Sequence, residues 1–339
     1  MSRACAAWAA AGGGKRPVER LKAARRKHRA RGIRLMSKFV NLFQSARLRA
    51  RSVFAAKANA GVSARASAKD LATPIDATDE RFRRAIECGE LQLYYQPLTD
   101  IKTGLITGAE ALVRWNEPDR GFLLPAQFVP YAEETGAIIA MGDWVLRTAC
   151  AQLKTWHESG LLDLRVSVNV SAKQFESLEF VETVASALKK AHLAPEFLEL
   201  EITETTAMKN LELSIAVMSQ LHKMDVRLAI DDFGTGYSSL ASLKQFPLDE
   251  LKIDRMFIRN CTSDPDDAAI TMAVISLAHG MGLNAVAEGV ETQRQLEYLR
   301  TLQCNTMQGI LGGSAMPAEA FTRFVRGEDD PYGSIAALP

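Results

Sequence analysis

Five acids and one amide in this chain stand where apolar, strand-like runs give way to polar residues: Glu110, Asn169, Glu201, the adjacent Asp231 and Asp232, and Glu288. One such residue at the end of one strand is unremarkable. The same placement on five strand-helix units points to oxygen ligands gathered at one end of a barrel, where hard divalent cations are the obvious occupants. Without cations, so many like charges held together would destabilise the barrel.

The elements that must position these residues follow from hydrophobic periodicity. Strand-like runs fall at 91–96, 108–115, 165–170, 198–202, 227–230, 251–253, 284–287 and 307–311. Helical spacing covers 126–134, 143–157, 180–192 (ended by Pro195), 211–224, 268–280 and 291–302, and a short helix follows Gly236. Eight strands with intervening helices over roughly 250 residues predict an α/β fold, a TIM (β/α)8 barrel. The longest stretch without a charge, 268–287, approaches the roughly 20 residues that cross a bilayer. His279-Gly280, Gly282 and Asn284 interrupt it, so it reads as a buried helix, a turn and a strand.

Three regions are expected: a basic arm over 1–75, the barrel over 76–330 and a tail over 331–339. Residues 1–70 hold eighteen of the 41 Lys and Arg but only Glu19 and Asp70 of the 40 acids. They cannot bury a useful core and read as a disordered or partly helical arm. A basic amphipathic stretch near 39–54 suits a membrane surface or nucleic acid, and the composition also imitates a transit peptide. Met36 is an alternative start site. The five scattered cysteines show no Cys-x-x-Cys pair, which indicates reduced, cytoplasmic usage and excludes a disulfide framework or a zinc site. His157, His192, His222 and His279 lie within or at the ends of amphipathic helices and are read as structural.

Taken in order, Glu110-Ala111-Leu112-Val113-Arg114-Trp115, Ser167-Val168-Asn169-Val170-Ser171, Glu199-Leu200-Glu201-Ile202-Thr203-Glu204, the run from Asp231-Asp232-Phe233-Gly234-Thr235-Gly236 to Leu240, Leu251-Lys252-Ile253-Asp254 and Ala287-Glu288-Gly289-Val290-Glu291 closely resemble the EAL-domain family of bacterial cyclic di-GMP phosphodiesterases. A lone Glu-Ala-Leu would carry no weight, but six segments in order and spacing are specific. The resemblance spans residues 79 to about 317 and implies a modified barrel whose first strand runs antiparallel.

It also implies two Mg2+ or Mn2+ ions. Glu110, Asn169, Glu201 and Asp231 would hold one, and Asp231, Asp232 and Glu288 the other, with Asp231 bridging. Lys252 would orient the attacking water and Glu288 accept its proton, with Gln308 in the same inner layer. Leu112 and Arg114 would face the substrate, Arg114 pairing with a phosphate oxygen. Glu204 would anchor the loop after Asp232, and relatives commonly form a homodimer through the barrel. Such chemistry suits a phosphodiester, whose charge repels hydroxide and whose alkoxide leaves poorly, since two cations about 3.5–4 Å apart answer both problems.

Several positions depart from the family's pattern. Ile310 and Gly312 stand where aromatics are usual, Ser314-Ala315 replaces a basic-Pro step, and Asn305 replaces an Asp. None is an expected ligand, so weaker affinity is predicted before lost turnover. Alone, Glu110 or Glu201 is ordinarily a solvated strand-end residue, Asn169 a turn former and Lys252 a surface cation. Glu291 reads in part as a helix cap and Asp254 as an acceptor for backbone donors. Two other readings stand beside hydrolysis. One is a catalytically silent cyclic di-GMP effector acting through protein partners; the other is a Mg2+-dependent barrel that abstracts protons, against which Asp231-Asp232 with Lys252 argues. The 75 residues upstream carry no Gly-Gly-Asp/Glu-Glu-Phe signature, so neither a diguanylate cyclase nor a sensor domain is expected beside the barrel.

Overall fold

The computed structural model describes residues 79–235 and 240–328, and expectations for the arm, the tail and residues 236–239 lie outside them. Ten strands form one sheet: β1 Leu91–Asp100, β2 Ile106–Glu117, β3 Gly121–Leu123, β4 Arg165–Val170, β5 Leu198–Thr203, β6 Arg227–Phe233, β7 Glu250–Ile253, β8 Asn284–Ala287, β9 Thr306–Met307 and β10 Met316–Pro317. Eight of them close a barrel. β2 and β4 to β9 pair in parallel, whereas β1 runs antiparallel to both β2 and β9. β3 and β10 are short antiparallel additions outside the ring.

Alternation decides which side chains enter the barrel. In β5, Leu198, Leu200 and Ile202 alternate with Glu199 and Glu201, so the aliphatics meet the surrounding helices and the acids face inward. The glutamates serve opposite ends. Toward the amino ends of the parallel strands, Arg227 lies 2.8 Å from Glu250, 3.3 Å from Glu199 and 3.6 Å from Asp249. Burial, with Glu250 close by, pushes the Glu199 carboxyl up to about 8. Glu201 belongs to the other end.

Aromatic packing holds the β1–β2 pair against its helices. Trp156 and Phe321 meet Tyr95, while Phe82 from the helix Asp79–Glu87 packs on Trp115 and Phe128. Arg81 on that helix stacks over Trp115 and bridges Glu90 and Glu117.

Several local expectations need correcting. The last strand ends at Met307 rather than 311, because Gly309 adopts φ 154° and the chain folds back through 310–313. The helix Glu179–Ala191 is stopped by His192 in the left-handed region at φ 51°, ahead of Pro195. Thr292, not Glu291, caps the helix Gln293–Thr301, through a reciprocal pair of bonds with Gln295. The charge-free stretch forms a helix, Pro265–Met281, followed by β8, and no helix among the described residues is long and apolar enough to cross a membrane.

Candidate metal centre

The carboxyl ends of the parallel strands bring eight expected residues into one cluster. Glu110 lies on β2, Asn169 on β4, Glu201 on β5, Asp231 and Asp232 on β6, and Lys252 on β7, while Glu288 and Gln308 directly follow β8 and β9. That makes eight side chains from seven strands, counting the aspartate pair singly. Register aligns Asn169 with Glu201, while Asp231, opposite Thr203, sits two residues further along its strand than the partner of Glu201.

Lys252 occupies the middle. It is 2% exposed, and its Nζ lies 2.5 Å from Glu201 Oε2, 2.6 Å from Glu288 Oε1, 3.3 Å from Asp231 Oδ1 and 4.0 Å from Glu110 Oε2. Glu110 is held from its other sides. Asn169 Nδ2 donates to its Oε1 and Gln308 Nε2 to its Oε2, both at 2.5 Å, and Gln308 Nε2 also reaches Gln96 Oε1 at 3.1 Å.

Electrostatics in the cluster follow from burial and crowding. Burial opposes a charge on Lys252, but Glu110, Glu201, Glu288 and Asp231 outweigh it and hold the ammonium well above its ordinary range. Burial lifts Glu201 well above the usual carboxylate range against the pull of Lys252, and Glu110 and Asp231 push it further. Glu288 rises to about 8, mainly through burial. Asp232 rises to about 7 through burial, a hydrogen bond with Asp254 and the charge of Asp231.

The donors suit a hard cation. Carboxylate oxygens of Asp231, Asp232 and Glu288 lie within 4.8 Å of one another. Buried Glu201 Oε1 and Gln308 Oε1 have no hydrogen-bond partner among the described residues. An unpaired buried oxygen costs about 1–3 kcal/mol, and an ion at this set of oxygen donors would satisfy Glu201. Asn169 gives its amide nitrogen to Glu110, which leaves its oxygen as a donor. These residues fit Mg2+ or Mn2+.

Loops around the cluster are tightly specified. Buried Glu204 accepts from Gly234 N at 2.9 Å, and Thr235 Oγ1 donates to the Asp232 carbonyl at 2.8 Å. Asp232 itself takes φ 53°. Gly289 follows Glu288 at φ 66°, where a Cβ would lie 2.6 Å from that of Arg255, so a larger residue would displace the Glu288 backbone. Half-buried Arg114 and Leu112 sit farther out along β2.

Sequence reasoning overlooked Gln96, which touches Gln308 and donates to the Gly313 carbonyl at 3.2 Å. A polar residue within the apolar 91–96 run was the available signal. Asp254 also proves to have two roles, accepting from Met256 N and bonding Asp232. His157 and His279 are engaged elsewhere, with the Leu164 carbonyl and the Asn305 side chain.

The EAL domain profile matches residues 79–314. The bifunctional diguanylate cyclase/cyclic di-GMP phosphodiesterase MucR of Pseudomonas aeruginosa is 48% identical over 237 residues, 70% of this chain and 35% of MucR. The cyclic di-GMP phosphodiesterase NbdA of the same species is 43% identical over 248 residues, 73% of this chain and 32% of NbdA. The chain thus spans about a third of the length of these relatives. Among solved structures, the PaMucR phosphodiesterase in complex with c-di-GMP superposes with a TM-score of 0.69 at 47% identity, covering 71% of this chain and 98% of that one. The EAL enzyme Bd1971 bound to cAMP and cyclic-di-GMP gives 0.70 at 32% identity, covering 73% and 68%.

Proposed function

The chain belongs to the EAL domain family, and on that premise we propose that it hydrolyses cyclic di-GMP to linear pGpG with two divalent cations, Mg2+ or Mn2+. The observation that carries the reading is the convergence of four acids from separate strands around one buried lysine, with Asp232 beside Asp231 and Glu288 and a Glu201 oxygen left unpaired.

Glu110, Asn169, Glu201 and Asp231 would hold one ion, and Asp231, Asp232 and Glu288 the other. Bound cations supply charge neutralisation at the phosphoryl oxygens and a lowered pKa for the attacking water. The chain's own groups do the rest. Gln308 and Asn169 fix the Glu110 carboxylate from two sides, so it cannot rotate away. Lys252 would orient the water and Glu288 would take its proton, a reading supported by the 2.6 Å between Glu288 Oε1 and that ammonium. Glu204 holds the backbone that follows Asp232. Arg114 pairs with a substrate phosphate oxygen beside Leu112, and the working assembly is a homodimer through the barrel.

Purified protein with Mg2+ or Mn2+ should convert cyclic di-GMP to pGpG, and Glu110→Ala should abolish turnover while the protein still melts cooperatively. Binding of cyclic di-GMP by the native chain without turnover would replace this reading with that of a silent effector.

A further inference from the structure

Phe122 is the one aromatic ring among the exposed large apolar side chains of the described residues, with 48% of its surface open. Its place in the sheet gives that ring a direction. β3 pairs with β2 through Asn116↔Phe122, and β1 with β2 through Tyr94↔Leu112 and Gln96↔Glu110. Side chains two apart share a face, so Glu110, Leu112, Arg114 and Phe122 form one stripe, with Gln96 and Tyr94 alongside. The stripe starts at the acid cluster and runs outward. Along it the Tyr94 and Phe122 rings meet edge-on with centroids 5.3 Å apart, and the Arg114 guanidinium lies over Tyr94, 5.8 Å from its centroid.

A guanidinium and a pair of rings in one row match the two halves of a purine nucleotide. The cation pairs with phosphate and the rings accept the flat base. Phe122 sits at the level of Asn116, two residues beyond Arg114, or about 7 Å along the strand, a span that one nucleotide bridges. The turn after β9 offers no competing surface. Exposed Ile310 is aliphatic, and a Cβ at Gly312 would already lie 3.2 Å from Thr99 Oγ1 and 3.4 Å from Met307 Cε.

Resting on the cyclic di-GMP reading above, we infer that Phe122, braced by Tyr94, is a base-stacking subsite for one purine of the substrate while Arg114 holds a phosphate. Stacking of a base on an aromatic side chain changes affinity by roughly five- to a hundredfold on truncation to alanine.

The experiment is steady-state kinetics and thermal melting of the full chain with cyclic di-GMP. Phe122→Ala should raise KM on the order of five- to a hundredfold, with kcat and the melting temperature little changed, and Phe122→Trp should restore KM because it restores the ring face. An unchanged KM in Phe122→Ala, or a lowered melting temperature with kcat and KM lost together, overturns the subsite while leaving the hydrolase reading intact. If the native chain neither binds nor hydrolyses cyclic di-GMP, both readings fall together.

Discussion

Replacing Lys252 with methionine removes one positive charge from among four carboxylates while nearly conserving side-chain volume. At an effective dielectric of about 20, attractions across 2.5, 2.6, 3.3 and 4.0 Å amount to about 4–7 kcal/mol each before desolvation is counted. Burial of the ammonium offsets most of that, and deleting one partner of a buried ion cluster typically costs about 3–5 kcal/mol net. For a domain of this size each kcal/mol moves the melting temperature by about 2–4 °C, so Lys252→Met should melt about 6–20 °C below the native chain in EDTA. The acids left behind are those assigned to the cations, so saturating Mn2+ should return much of the loss. An ion at a hundred times its dissociation constant stabilises the fold by about 2.7 kcal/mol. Differential scanning calorimetry of both proteins, with and without Mn2+, reads the result. Equal melting in EDTA, or a deficit that saturating Mn2+ leaves unchanged, would refute the view that ammonium and metal neutralise the same carboxylates.

Other consequences concern pH, the loop and the last turn. Glu288 and Glu199 at about 8 and Asp232 at about 7 have folded-state values above their ordinary range, so between about pH 4.5 and 8 the native state binds more protons than the unfolded chain. Their contribution is therefore complete below that window and lost as pH rises through it; metal-free protein should melt lower at pH 8.5 than at 5.5, and a steady rise would count against the assignment. Cation affinity should increase over the same window, since the ligands must lose protons to bind; titration calorimetry at the two pH values measures it. Glu204→Ala strips Gly234 N of its acceptor and should cost about 1–3 kcal/mol in urea unfolding, together with reduced turnover. Ile310→Tyr, at a position 52% exposed and free to take a ring, should lower KM for cyclic di-GMP without raising kcat; an unchanged KM would show that this turn does not touch substrate.

Much of the barrel could be read from residue order because strand and helix periods are local properties. Leu198-Glu199-Leu200-Glu201-Ile202 announces an inward acid at every second position wherever its neighbours lie. The β3 and β10 pairings could not be read, because two or three residues carry too little periodicity and both depend on partners that only the assembled sheet presents. Gly309 ended the last strand early through a backbone angle that no apolar run reveals.

By itself the sequence determined which donors exist, that they end successive strands, and that no cysteine or histidine pattern competes with them. Only the tertiary structure decided that Lys252, in isolation an ordinary surface cation, is buried within reach of four acids, and that Gln96 joins the site because β1 enters antiparallel. The physical reason is register. Closing the barrel sets which strand ends share a height, and burial and charge act through the resulting distances, whereas periodicity acts only along the chain.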